Sequence, residues 1–293
     1  MNHSLFLLLF FFGWISCDRP LTGPENEYWK NYCGTMPSHT SKFIDEKRHL
    51  YGGEPINGDR APWAVQAGRR EALCSGTLIS QRHVLLASHC IMMSTDSAPP
   101  TVKQSEWFCD GDDLILKQDN DYYYVKDSRG QLLSNRVSKM ILFNFCYNKV
   151  VDYDDFMIME LKEDIQPSEF AYPACITNDL NFQQNGLTIR VTAYGHDNWD
   201  PNNTNGQGTS ALRNGVFKIG GPWRDWRGFT IYDEHRRTET RPGDSGGSVI
   251  HYSNGRYYVI GVIDVCWYGS FTSGIGSVAT HYNRICYHTG RCN

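Results

Sequence analysis

The run Gly243-Asp244-Ser245-Gly246-Gly247 limits what this chain can fold into more than any other feature. Glycine accepts backbone angles and close approaches that a side chain would block. A serine between glycines can therefore be held on a tight turn, with its hydroxyl exposed and backbone N–H groups around it. A serine hydroxyl is a poor nucleophile until a base takes its proton. Histidine is the usual base, and an acid must then orient the imidazole. Far upstream stands Ala87-Ser88-His89-Cys90, and between the two lies Asp155, so the chemistry-bearing residues run His89, Asp155, Ser245 along the chain.

The flanking sequence sets the class of fold and the compartment. Leu5 to Ile15 is apolar apart from Gly13 and is followed by the small residues Ser16 and Cys17. That run is too short to span a bilayer and fits a secretory signal peptide over 1–17, with an uncleaved signal anchor as the alternative. Formal charge is -4, which provides no basic field for nucleic acid or anionic lipid. Aromatic residues make up 13% of the chain, and short Val/Ile/Tyr runs alternate with Gly, Asn and Asp, a pattern that favours sheets. The one helix expected is short and C-terminal, around His281 to Cys286. Ten cysteines behind a signal peptide imply disulfides in an oxidising compartment, and cleavage after Cys17 would leave an odd number. There is no Cys-x-x-Cys pair to suggest metal ligation, and no cofactor is expected.

Chain order separates the known serine–histidine–acid solutions. The α/β-hydrolases run Ser, Asp, His and the subtilisins Asp, His, Ser, which disfavours a lipase or esterase here. With its histidine beside a cysteine and its serine in Gly-Asp-Ser-Gly-Gly, the chain resembles the chymotrypsin/trypsin-like serine proteases. The resemblance covers about residues 33–285. It rests on Ala61-Pro62-Trp63, Cys74 to Ser80, Asp155-Phe156-Met157-Ile158-Met159-Glu160-Leu161, Pro173-Ala174-Cys175 and Val191 to Gly195. The 66 residues from His89 to Asp155 are more than that family usually has, and they contain Cys109, Cys146 and the strand-like runs Leu114 to Leu116 and Tyr122 to Val125. This long interval and the Ala-Ser-His-Cys motif resemble a divergent nematode branch.

The resemblance implies an all-β fold of two six-stranded antiparallel Greek-key barrels with the site between them. It implies a propeptide over 18–49, polar and irregular, and a protease domain over 50–293. In the expected chemistry Ser245 attacks a carbonyl, His89 is the general base and Asp155 orients it, with Asp154 as a solvated neighbour. Gly243 and Ser245 would supply the oxyanion N–H groups. Asp244 would receive a new amine at Leu50 after cleavage, although His49 and Lys47-Arg48 make an unusual cut site. The implied disulfides are Cys74–Cys90 and Cys33–Cys175, with Cys109–Cys146 inside the long interval and Cys266, Cys286 and Cys292 left open.

Glu239, Asp264, Cys266 and Gly274 mark the expected specificity pocket, with Gly274 and Gly276 keeping its wall open. Arg241 is close enough in sequence to neutralise Glu239. Asp264 stands where the family has a serine touching the catalytic aspartate, and a second carboxylate there would push one pKa up. Asn202-Asn203-Thr204 is a glycosylation sequon. Asp110-Gly111-Asp112-Asp113 offers oxygen ligands of the kind calcium takes.

Two expectations of function follow from the resemblance. One is a secreted, extracellular serine endopeptidase made as a zymogen. Its partners would be protein or peptide substrates, an activating protease and protein inhibitors, with no nucleic acid and no membrane once the signal is removed. The alternative is a catalytically weak or inactive homologue acting as a secreted binding module.

Overall fold

A computed structural model describes residues 19–35, 55–69, 72–92, 107–117, 123–134, 136–148, 154–195 and 211–292. The expected signal peptide, Leu50 and the Asn202 sequon lie outside these residues. The first half of the chain forms β1 (Ala64–Arg69), β2 (Ala72–Leu78), β3 (His83–Leu86), β4 (Trp107–Asp110), β5 (Asp113–Lys117), β6 (Tyr123–Lys126), β7 (Leu132–Ser134), β8 (Val137–Leu142) and β9 (Met157–Leu161). These pair into one nine-stranded antiparallel sheet in the order β4-β5-β8-β9-β3-β2-β1-β6-β7. The second half forms β10 (Thr188–Ala193), β11 (Arg213–Trp223), β12 (Gly228–Tyr232), β13 (Ser248–Ser253), β14 (Arg256–Trp267) and β15 (Thr272–Ser277), closed as a six-stranded barrel. The first half exceeds six strands because the long interval after His89 folds into β4 to β8.

Strand periodicity explains how the two halves meet. Successive side chains of a strand face opposite sides. Along β9, Met157, Met159 and Leu161 enter the core of the first sheet. Ile158, with Phe156 just before the strand, enters a second core shared with Tyr194, Ile250, Val259 and Val262 of the other half. Leu114 and Leu116 against Ile115, and Met140 and Leu142 against Ile141, divide in the same way. An apolar run without alternation, as in Met157-Ile158-Met159, is thus a strand buried on both faces. Each such large side chain contributes roughly 1.5–3 kcal/mol of burial. Asp155 stands at the mouth of this inter-half core.

Among the described residues three α-helices join these strands: α1 (Gly23–Tyr32), the single turn α2 (Phe145–Asn148) and α3 (Val278–Thr289). The presence of α1 corrects the expectation of an irregular propeptide. Its signal is Thr22-x-x-Glu25, a capping box in which the Thr22 hydroxyl accepts the Glu25 N–H and Glu25 Oε2 accepts the Thr22 N–H, with Pro24 in the first turn. The helix buries Trp29 and is tied into the body at several points. The Leu21 N–H donates to the Thr289 carbonyl at 2.6 Å, and the Cys292 N–H to Asn26 Oδ1 at 3.0 Å. Arg82 bridges Glu25 and Asp164. Fully buried Arg291 donates to the Trp29 carbonyl at 3.3 Å.

Among the described residues four disulfides are present: Cys33–Cys175, Cys74–Cys90, Cys109–Cys146 and Cys286–Cys292. Cys266 is a free thiol. A chain cut before Leu50 is expected to stay joined through Cys33–Cys175. Non-reducing mass spectrometry should then recover the two cysteines in one linked peptide, and a free thiol at either position in the cut protein would refute the tether.

Candidate active site

His89 sits on a short turn, Ser88–Cys90, that follows β3. Three contacts fix that turn. Cys90 is bonded to Cys74 on β2, the Ser88 hydroxyl donates to the Phe156 carbonyl at 3.0 Å, and the His89 backbone N–H donates to Asp155 Oδ1 at 2.8 Å. The second oxygen of Asp155 is hydrogen-bonded to His89 Nδ1. A carboxylate can only accept, so Nδ1 carries the proton and Nε2 is left with a lone pair. The His89 side chain is about one-third exposed (32%) and that of Asp155 is 3% exposed. The acid is thus shielded while the imidazole reaches solvent. Burial alone would raise the Asp155 pKa. The charge of His89, the two His89 hydrogen bonds and a hydrogen bond from Asp264 outweigh it and hold the carboxyl below its ordinary value.

The Gly243–Gly247 turn meets the same strand ends from the other half. Gly243 and Gly246 have φ of 93° and 79°, the left-handed region that favours glycine. A side chain on Gly246 would run into the Ser75 carbonyl and the Leu86–Ala87 backbone that leads to His89. Ser75 on β2 holds both sides of the turn. Its N–H donates to the Ser245 carbonyl and its hydroxyl to the Gly243 carbonyl, each at 2.9 Å. The Cys90 sulfur lies 3.9 Å from the Ser245 carbonyl oxygen. Within the turn, the N–H groups of Asp244, Gly246 and Gly247 go to the carbonyls of Arg241, Ile263 and Asp244. Among the described residues, no backbone carbonyl takes the N–H of Gly243 or Ser245. In the sequence Ser75 stands only as part of a strand. Its position beside Cys74 was the available signal.

Asp244 points away from the turn into the barrel. Gly195 N–H donates to its Oδ1 at 2.8 Å and Arg241 N–H to its Oδ2 at 2.7 Å. Gly195 must be glycine, because a Cβ there would occupy the Asp244 carboxylate. Burial dominates the two backbone donors and the charges of Arg213 and Arg241, and pushes the Asp244 carboxyl up to about 7.

Asp154 corrects the expectation of a solvated neighbour. It is buried, accepts from His281 Nε2 at 2.8 Å and 3.0 Å, and is hydrogen-bonded by the Asn144 amide. His281 Nδ1 is 2.6 Å from the Ser277 carbonyl, so both ring nitrogens face acceptors. The imidazole also stacks on Phe156, with centroids 4.4 Å apart at 11°. Arg284 and His288, on the same face of α3, bind Asp113 at 2.8 Å and 2.9 Å. The acidic turn considered for calcium therefore has Asp113 engaged by the chain's own Arg284 and His288. This face of α3 clamps the loop that carries Asp155.

The residues expected around the specificity pocket are largely engaged by other groups of the chain. Glu239 is buried and its Oε1 accepts the Gly269 N–H at 2.7 Å, while the Arg241 guanidinium lies 5.3 Å from the Tyr268 ring. Thr240 and Ser273 hydroxyls share a hydrogen bond. Burial, then the charges of Asp244, Glu239 and Asp264, push the Cys266 thiol up to about 12, so it is neutral. The space beside Gly274 holds Trp223, whose Nε1 would be 2.7 Å from an added Cβ, and the space beside Gly276 holds Phe156. These glycines make room for the protein's own aromatic rings. Trp223 packs edge-on against Trp267, with centroids 4.7 Å apart. Asp264 faces Asp155, Trp223 and Arg224. Trp223 and Arg224 were not identified from sequence, because neither stands in a recognisable motif.

The chain is similar in sequence to known serine proteases. A venom protease of Bombus pensylvanicus is 27% identical over 237 residues, covering 73% of this chain and 87% of that protein. Phenoloxidase-activating factor 3 of Holotrichia diomphalia is 21% identical over 281 residues, covering 86% and 74%. Serine protease ea of Drosophila melanogaster is 25% identical over 187 residues, and the match spans only 46% of that protein. The sequence pattern of the Nematode trypsin-6-like family matches residues 3–292. The chain is a member of that family, a divergent branch of the trypsin-like serine proteases.

Proposed function

We propose that the protein is a secreted serine endopeptidase, made as a zymogen, that hydrolyses peptide bonds through an acyl-enzyme. The observation that carries this reading is the double hydrogen bond of His89 to Asp155, which leaves Nε2 as an acceptor, on a segment whose neighbours Ala87 and Cys90 lie against the Gly243–Gly247 turn. Ser245 Oγ attacks the substrate carbonyl as His89 Nε2 takes its proton. Asp155 holds the tautomer and stabilises the imidazolium. The N–H groups of Gly243 and Ser245 receive the developing oxyanion. The imidazolium then protonates the leaving amine, and a water activated by the same base releases the acyl group.

Residues 1–17 act in this scheme as the signal peptide, 18–49 as the propeptide and 50–293 as the protease domain, glycosylated at Asn202. The substrate is a protein or peptide, and an activating protease and protein inhibitors are the other partners. Among the described residues no helix is long and apolar enough to cross a membrane.

A second reading, a secreted binding homologue, draws support from Trp223 beside Gly274 and from Cys266 on the expected substrate edge. Fluorophosphonate labelling before and after proteolytic cutting separates the two. The endopeptidase should be labelled after cutting, and Ser245→Ala should lose all label with its fold intact. Unchanged labelling in that variant would end the protease reading.

A further inference from the structure

We infer that the body of the protein carries a peptide-binding groove for α1, and that after a cut before Leu50 the segment 19–35 stays in it as a second subunit that needs no covalent link. Only the cut comes from the protease reading. The groove and its contacts do not depend on catalysis.

The C-terminal end of α1 is completed by the body. A helix leaves its last four carbonyls without partners inside the helix. Arg256, at the start of β14, donates to the Lys30 carbonyl at 2.5 Å. Arg291 donates to the Trp29 carbonyl at 3.3 Å and to Asn26 Oδ1 at 3.2 Å, and its second Nη lies 3.2 Å from Cys33 Sγ. Two cations thus stand at the negative end of the helix, where they are favoured. The acceptors of the segment are what a fully buried guanidinium such as Arg291 requires.

The side of the helix fills an apolar slot. Trp29, with Leu21 and Cys33, packs against Cys175, Tyr172 and Tyr258. Its ring is edge-on to that of Tyr172, with centroids 5.6 Å apart, and its Nε1 is hydrogen-bonded to Gln81 Oε1. Close backbone approach seals both ends. The Gly34 N–H donates to the Pro173 carbonyl at 2.9 Å, and the Gly34 carbonyl accepts the Tyr257 N–H at 3.0 Å. Gly34 has a φ of 63°, and a Cβ on it would lie 2.3 Å from the Tyr257 carbonyl oxygen. At the other end a Cβ on Gly290 would lie 2.4 Å from the Leu21 carbonyl oxygen.

The segment also fastens the strands that carry the site. β3 and β9 are antiparallel, with Leu86 opposite Met157 at the end near His89 and Asp155, and His83 opposite Glu160 at the far end. The far end is where the segment grips. Arg82 binds Glu25, the Arg19 N–H donates to Glu160 Oε1 at 3.2 Å, and Arg19 Nη2 lies 3.0 Å from Asp164 Oδ1. All of these contacts join residues 19–35 to residues from 81 onward, so a cut before Leu50 breaks none of them. Cys33–Cys175 is one fastening among them.

The test uses the full chain with a recognition site for a specific protease placed before Leu50, and with Cys33→Ser and Cys175→Ser. After the cut, gel filtration at about 1 µM, which retains complexes of micromolar or tighter affinity, should carry the segment with the body. Dilution then gives the Kd. Trp29→Ala should raise that Kd about a hundredfold, the size expected when a buried aromatic side chain is truncated. Glu27→Ala should leave it unchanged, because Glu27 is exposed and contacts Lys30 and Asn31 of its own helix. Separation of the segment from the otherwise unaltered body, or an unchanged Kd in Trp29→Ala, would overturn the inference.

Hydrogen exchange gives a readout that keeps the native cysteines and so does not rely on the serine variants folding. An isolated helix of 10 residues is marginal in water, so α1 is protected only while docked. Its amides should exchange as slowly in the cut wild-type protein as in the uncut one. Fast exchange after the cut, with Cys33–Cys175 intact, would overturn the inference. Fluorophosphonate labelling of the same samples is read separately: absence of label in every cut form would refute the protease reading, and the Kd and exchange rates would still decide the groove.

Discussion

Asp155→Asn is expected to lower kcat about 10⁴-fold at neutral pH, with the fold and KM nearly unchanged. The amide would place an N–H where His89 Nδ1 now donates, turning the imidazole to the tautomer whose Nε2 carries a proton and cannot receive one from Ser245. Steady-state kinetics on a peptide substrate, after the same proteolytic cut, measures the effect. A variant within tenfold of wild type would remove Asp155 from the mechanism. Asp154→Asn separates the adjacent acids: Asp154 is bound to His281 and Asn144, so its replacement should act on stability and leave the His89 tautomer alone.

The second large effect concerns activation. The chain beginning near Asp18 is expected to be inert, and the chain beginning at Leu50 active. In the uncut chain Asp244 is held by two backbone N–H groups, and its carboxyl sits near 7 because burial exceeds what those donors supply. A free amine at Leu50 would add the missing cation, and the carboxyl would release its proton. The sign is testable. With its folded pKa raised, Asp244 makes the uncut protein lose stability between about pH 4 and 7, and the cut protein should lose less. Asp244→Asn should reduce the activity of the cut form by about 10²–10³-fold, the scale of losing one oxyanion donor. N-terminal sequencing with activity measured on the same sample decides the matter. Strong activity in the uncut chain would sink this mechanism. A mature end at His49, left by a cut after Lys47-Arg48, would require trimming before activity appears.

The parts legible in sequence were those with local chemical signatures. The glycines of the serine turn, the cysteine beside His89 and the apolar run after Asp155 each record a nearby constraint. Pairings that depend on long-range docking were not legible. The polar stripe of His281, Arg284 and His288 reads in sequence like a solvated helix face, yet it faces Asp154 and Asp113 more than 120 residues away. Asp154 looks solvated in sequence because nothing nearby in the chain can pair with it. Arg224 lies 40 residues from Asp264 in a turn with no glycine. Its left-handed backbone is a property of the fold and not of any motif. Gly274 and Gly276 look like openings in sequence because a glycine only reports that space is needed, not what fills it.

The hydrogen bonds between segment 19–35 and the end of α3 with the residues that follow it bear on how a permanently active form could be made. Because Leu21 is hydrogen-bonded to Thr289, and Asn26 to Cys292, the segment 19–35 lies in space as a continuation of the C-terminus. A protein cut before Leu50 is then, in effect, a circular permutant: it starts at Leu50, runs through Cys292 and resumes at Arg19, with Cys33–Cys175 as its last fastening. Joining residue 292 to residue 19 through a short linker and opening the gene at Leu50 would encode that arrangement as one polypeptide. Placed behind a signal peptide cleaved just before Leu50, such a chain would be secreted with the activating amine already at its start and with no need of a separate activating protease.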